Sequence, residues 1–419
     1  MAAQDIEHPA GDGRRAEVAK GGRFSTYLRH CRRERRLSLR QVEKLSESYP
    51  ERISNSYLAY CETGRLLPSL GKLMTLARVL GVPLQSFTER LEIDRDAASC
   101  DTALAMPSGL PALREEGIRR AEAGALHEAY LCFEAGLEAA VRSHDDGARA
   151  DLMMDMAIVL KRMSRHYTAR DLLEEVVSRR GLDAARVDRA LLLLADVLRE
   201  MDRLPIAAMI GREALHRASR QGDPDREAHA ACLLGNALYD MGCVDEAIPL
   251  YERAIRFFRT SPDARSSAPL VCNMANLANC LLRMEKGERG PRFPEGLRLL
   301  AEAEAIARDA GFQRQTADIL GYQARAHGLL GQAARAEKLF FQSNRIAREC
   351  EYHDILFTNT WHLRELALKQ RRQDMADDHL RTLRYLRSRV DSSNPEIRAF
   401  DRLSRAVPDT APGEDGAVS

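Results

Sequence analysis

The sequence predicts an all-α protein in two parts: five short helices near the N-terminus, then a helical solenoid of about seven hairpins. Three observations carry that prediction. From about Ala112 to Arg389 apolar residues recur at helical spacing, with little of the alternation that marks strands. The pattern also repeats. Small residues opening the second helix of each pair align at Ala129, Ala169, Ala207, Ala247, Gly296, Ala336 and Ala376, at spacings of 40, 38, 40, 49, 40 and 40. Self-similarity at such a period is the mark of stacked helical hairpins. The third observation is charge: the whole chain is near neutral, yet Arg23 to Arg95 holds 14 Lys/Arg against 8 Asp/Glu. A basic module on a neutral body suits a head that binds a polyanion.

Taken in order, residues 1–21 are polar and glycine-rich and read as a disordered tail. The head occupies residues 22–92. Its first helix, "FSTYLRHCRRERR", turns Tyr27, Leu28 and Cys31 inward, with Arg29, Arg32, Arg33, Arg35 and Arg36 around them. In the second, "SLRQVEKLSES", Ser38 and Gln41 form an S-x-x-Q capping box, and Val42 and Leu45 point inward. The third lies in "ISNSYLAYCETGRLLPS": Ser54 caps it, Leu58 and Cys61 pack at i, i+3, and Gly64 stops it. "LGKLMTLARVLG" follows with apolar Leu73, Leu76, Ala77 and Leu80, then a short helix from about Pro83. Residues 93–111 read as a linker, 112–390 as the solenoid and 391–419 as a flexible tail.

The motifs "SLRQV", S-x-S-Y-L-x-x-x-E-x-G-R, "PS" and "LMTLARVLGV" together resemble the Cro/C1-type (XRE-family) helix-turn-helix domain over about 70 residues. The resemblance implies that the third helix enters the major groove of double-stranded DNA. Asn55, Ser56 and Tyr60 would then face bases, with Tyr57 at the groove wall, and Asn is suited to bidentate contact with adenine. Arg40, Thr63 and Arg65 match phosphate-contacting positions, and Glu62 matches a glutamate that pairs with an arginine of helix one, here Arg32. Two departures stand out. Leu39 replaces the usual Gln at the start of helix two, and "SYPERI" lengthens the turn before helix three by about five residues.

The repeats resemble the tetratricopeptide repeat, most closely at Leu234, Gly235, Leu238, Ala247, Tyr251 and Ala254. The unit exceeds the usual length of about 34 residues, which predicts helices extended by about a turn. The fifth copy carries the insertion "EKGERGPRFPEG". Alignment of the copies puts Lys161, Arg199, Asn236, Tyr239, Asn279, Arg283 and Arg325 on the inner side, and "CNMANLANC" adds Asn273 and Asn276 as a polar ladder. Asn pairs with both groups of an extended peptide backbone, and Arg takes a carboxylate.

Such a head on such a body resembles bacterial regulators that sense signalling peptides, which implies a homodimer, a peptide in the groove and control of the DNA-binding heads. A solenoid that docks another protein, such as a kinase, a phosphatase or the transcription machinery, is the alternative. No H-E-x-x-H, G-x-x-x-x-G-K-[ST] or G-x-S-x-G is present, and the histidines lack metal-ligand spacing, so neither an enzyme nor a metal or other cofactor is expected. Nine cysteines without a C-x-x-C pair point to a reducing cytoplasm, and no apolar run is long enough for a membrane span.

Overall fold

The structure is a computed structural model that describes residues 22–99, 106–261, 267–285, 288–390 and 395–406. The expected tail at 1–21, residues 407–419 of the C-terminal tail and Cys100 lie outside the described residues. The chain divides into two compact units at Leu172/Leu173.

The first unit opens with α1 (Arg23–Glu34), α2 (Leu39–Ser46), α3 (Asn55–Glu62), α4 (Leu70–Leu80) and α5 (Leu84–Ser99). These close around Phe24, Leu28, Val42, Ile53, Leu58, Cys61, Leu76, Leu80 and Phe87, all buried. Ser38 and Gln41 make the reciprocal capping box, and Ser54 and Ser69 cap α3 and α4. Leu45 departs from expectation and is 47% exposed. Over only eight residues Val42 and Ser46 take the inward face of α2 at i, i+4, which rotates Leu45 outward.

The fifth helix is not short. α5 runs on to Ser99, through residues expected to be linker, because its far half is occupied by tertiary contacts. Asp94 accepts the Arg23 and Phe24 amides (3.0 and 3.1 Å), so it caps α1, which has no side-chain cap of its own. Beyond it in the same unit come α6 (Leu110–Glu122), α7 (Leu126–Arg142), α8 (Asp146–Arg162) and the start of α9 (His166–Ser178). Glu89 of α5 accepts Tyr167 N (3.1 Å), Thr168 N (2.7 Å) and Thr168 Oγ1 (2.9 Å), capping α9. Arg90 pairs with Asp171 at 2.9 Å and lies over the Tyr27 ring. Arg23 reaches Glu134 of α7 through Nε (2.7 Å), and Arg165 reaches Glu92 (3.0 Å). The five-helix head is therefore clasped to the first hairpins by buried and half-buried ion pairs.

The second unit holds the end of α9, α10 (Ala184–Glu200), α11 (Leu204–Gln221), α12 (Pro224–Asp240), α13 (Val244–Thr260) and α14 (Ala268–Leu281). A two-residue antiparallel pair, β1 (Met284–Glu285) and β2 (Glu288–Arg289), sits in the insertion. Then come α15 (Phe293–Asp309), α16 (Gln313–Leu329), α17 (Ala333–Glu349), α18 (His353–Lys369), α19 (Gln373–Arg387) and α20 (Pro395–Ala406). In the first unit α6 packs on α7, and in the second the helices from α10 to α19 pair in chain order as five hairpins. The long period has a simple origin: α16, α17 and α18 are 17 residues each, with three-residue turns between them, so two helices and two turns make 40. Ala129, Ala169, Ala207, Ala247, Ala336 and Ala376 are all buried near the start of their helices, as is Gly296. At Gly235 an added Cβ would sit 3.0 Å from the Tyr251 ring, which is why a small residue is needed where these helices cross.

Most turns between the helices hold a left-handed residue. Glycine serves at Gly222, Gly242 and Gly331, but His144, Ser164, Asp202, Glu351 and Arg371 are strained there. Glu351→Gly is therefore expected to stabilise the protein by about 1 kcal/mol, read as a higher denaturant midpoint; an unchanged or lower midpoint would count against the strain.

Residues 391–419 were expected to form a flexible tail, but Pro395–Ala406 form α20. Ile397 and Phe400 are buried against Phe357, Leu383 and Leu386, and that apolar contact is what orders the helix.

Candidate DNA-reading face and solenoid groove

The third helix is presented by its brace. Arg32 donates to both carboxylate oxygens of Glu62, Nε to Oε1 at 2.6 Å and Nη2 to Oε2 at 2.8 Å. Glu62 is buried and Arg32 nearly so, and the fork geometry fixes the rotation of α3. The Glu62 hydrogen bond holds the Arg32 guanidinium above its usual range despite burial. Arg29, which the sequence marked only as part of a basic face, joins them by donating to the Glu62 carbonyl at 2.5 Å.

The long turn is pinned at its ends. Ser46, fully buried, accepts the Ile53 amide at 2.9 Å and donates to the Glu43 carbonyl at 2.6 Å, while Ile53 fills the core. The extra residues thus bulge outward between two fixed points.

On α3, Ser56 is exposed, Tyr60 is 50% exposed and Asn55 is half-buried, with Ser56 Oγ donating to Asn55 Oδ1 at 3.1 Å. Tyr57 is placed differently. Its ring packs on the head's core, and Lys72 Nζ lies 3.8 Å from the ring centroid, so it builds the wall under the helix. Arg40 and Arg65 are exposed. Thr63 is exposed too, but its hydroxyl donates to the Ala59 and Tyr60 carbonyls at 3.0 and 3.1 Å. Leu39 is half-buried against the core, where a polar contact residue had been the pattern.

In the second unit several side chains expected on the inner side form rungs between successive repeats. Asn276 donates to Asn236 Oδ1 (3.0 Å), which also accepts the Tyr251 hydroxyl (3.0 Å). Asn279 donates to the Tyr239 hydroxyl (2.6 Å) and accepts from Arg325 (3.2 Å). The Asn276–Asn236 and Asn279–Tyr239 contacts each join positions 40 residues apart, one full repeat. Asn273 is not part of the ladder: it is fully buried and donates to the Pro269 carbonyl of its own helix at 2.8 Å. Arg283 is exposed, at the edge of a smaller cavity shared with Asn279, Tyr322 and Arg325.

A cavity of about 360 Å³ brings Arg199, Tyr239, Asn279 and Arg325 together, while Asn236 and Asn276 are outside its lining. Its acidic side was not foreseen: Glu200, Asp202, Asp240, Asp318, Asp354 and Glu396 also line it. Arg199 pairs with Asp240 at 3.0 Å. Burial pushes the Asp318 carboxyl up to about 7, with Arg314 opposing and Asp354 adding to the shift.

A helix-turn-helix domain profile matches residues 23–89. The chain carries an XRE-type helix-turn-helix domain. A tetratricopeptide repeat profile matches residues 186–260, so the helix-turn-helix head is followed by a tetratricopeptide body. Both are binding modules, and their combination makes this a DNA-binding regulator with a ligand- or protein-binding body.

Solved structures share the fold at low identity. Aspartyl phosphate phosphatase F from Bacillus subtilis is 13% identical, with a TM-score of 0.55 over 90% of this chain and 97% of that one. The Rap conjugation gene regulator of plasmid pLS20, in complex with the Phr* peptide, is 14% identical, with a TM-score of 0.52 over 93% and 97%. The apo form of RapI is 10% identical, with a TM-score of 0.55 over 69% and 99%. No curated protein matches the sequence at a significant level. Among the described residues no helix is long and apolar enough to cross a membrane, no group of three metal-ligating side chains converges, and the cysteines are free.

Proposed function

We propose that this protein is a sequence-specific transcription regulator, acting as a homodimer on DNA, whose tetratricopeptide groove senses a short peptide. The observation that carries the peptide reading is the rung system. Asn279 uses one donor and one acceptor within its rung, which leaves an N–H and a lone pair for a backbone. Arg199 and Arg325 add charge beside it in the same cavity. A fold neighbour whose structure holds a peptide is consistent with this use of the architecture, as an analogy of fold alone. Dimerisation follows from the reading of DNA, since one head spans only a few base pairs and two heads read paired half-sites. For the peptide to act as a signal it must bind one conformation of the body better than another.

On the head, Asn55, Ser56 and Tyr60 read bases, and Arg40, Arg65 and the end of α3 at Thr63 meet phosphate. Asn55→Ala is expected to lose roughly tenfold or more of the discrimination between operator and random duplex. Arg65→Ala should weaken both alike and lower the salt slope by about one. Titrations of both duplexes at several salt concentrations separate the two, and equal loss of specific and random binding in Asn55→Ala would refute the assigned base contact. For the groove, a peptide ligand should raise the melting temperature, and the rise should grow with the logarithm of its concentration above Kd. Stabilisation only by a folded protein partner would instead make the solenoid a docking surface.

A further inference from the structure

The groove is already partly filled by the chain itself. One side of α20 presents Ile397 and Phe400, buried against Phe357, Leu383, Leu386 and Val390 of the last hairpin region. Its other side faces the cavity. Arg398 donates to Asp202 Oδ1 at 2.8 Å and approaches the Asp240 carbonyl at 3.5 Å, groups 196 and 158 residues away in sequence. Two residues earlier, Glu396 meets His362 Nε2 at 3.2 Å and lies under the influence of Arg325. Although burial alone would raise it, the hydrogen bond with His362 and the nearby charge of Arg325 bring the Glu396 carboxyl down to about 2. A helix serving only to cap the last repeat needs its apolar side. It does not need a base at the α10–α11 turn and an acid at α18, and these two anchors span the same cavity as Arg199, Tyr239, Asn279 and Arg325.

We propose that α20 is a tethered competitor for the groove, and that the ligand displacing it is a short peptide bearing a basic side chain for the Asp202–Asp240 ledge and an acidic one for His362 and Arg325. This rests on the reading of the groove as a peptide site and adds the chemistry of its ligand and a threshold for binding. An intramolecular occupant is present at high effective concentration, so the displacing peptide must exceed it in affinity. Loss of the strap should therefore tighten binding of any peptide that uses the same anchors.

The chain's own segment is the probe. A fluorescein-labelled peptide of sequence PEIRAFDRLSRA (395–406) is titrated into full-length protein, into Arg398→Glu and into Phe400→Asp. The single tryptophan, Trp361, packs against the Ile397–Phe400 cluster and reports whether α20 is docked. The expected result is a shift of Trp361 emission in both variants and at least tenfold tighter probe binding than to the wild-type chain. In Arg398→Glu, a second change, Asp202→Arg, restores the wild-type emission and weak probe binding. Equal probe binding to all chains, or unchanged emission in both variants, overturns the strap. That failure differs from failure of the groove itself: a foreign peptide that still stabilises the wild-type chain keeps the peptide site and removes only the competitor.

Discussion

Arg32→Ala is expected to cost about 3 kcal/mol, because it removes one partner of a buried ion pair and leaves the other in place. Glu62 is 5% exposed, and the fork from Arg32 supplies its two short hydrogen bonds. Arg29 remains as a partial substitute, its Nε 3.8 Å from Glu62 Oε2, which keeps the loss toward the lower end of what such pairs show. Chemical denaturation of the full-length variant measures the cost. Since Glu62 closes α3, operator affinity should fall with stability even though neither residue faces a base. A variant of wild-type midpoint and affinity would mean that α3 is held by its apolar contacts alone. Arg32→Lys is not expected to rescue, because an ammonium cannot make the paired contact.

Glu89→Ala is the second large effect, expected at about 3 kcal/mol. The Glu89 carboxylate accepts two amides and one hydroxyl at the start of α9, and Thr168 is buried, so three donors lose their acceptor together. Amide exchange locates the damage: protection at Tyr167 and Thr168 should collapse first, before the α1–α4 core opens. Retained protection at those two amides would contradict the capping role. Because Arg90 adds a second contact to Asp171, the double variant with Arg90→Ala should cost less than the sum of the singles.

What the sequence revealed and what it concealed follow from the range of the interactions. The solenoid was legible because each hairpin repeats the same packing problem, and small residues must recur wherever two helices cross. The capping box at Ser38–Gln41 and the cap at Ser54 were legible because both partners lie within three residues. Asp94 and Glu89 cap helices 71 and 78 residues away, and in sequence they look like ordinary charges on a surface. The same holds for α20. It occurs once, so no period announces it, and its partners Asp202 and Asp240 lie at helix ends, where acidic residues draw no notice. Leu45 was misplaced because a hydrophobic pattern cannot show that a serine hydroxyl, tied to Ile53, takes the inward position. Asn276 meets Asn236, and Asn279 meets Tyr239, one repeat away, whereas Asn273 is turned into the core by its place on the helix.

Whether the head reads specific DNA through α3 is decided by selecting binding sites from a random duplex pool with the full-length chain. A short inverted repeat should be enriched, with one position in each half-site relaxed when Asn55→Ala is used. Retention of duplex without enrichment of any sequence, or an unchanged motif with Asn55→Ala, would contradict base reading through α3.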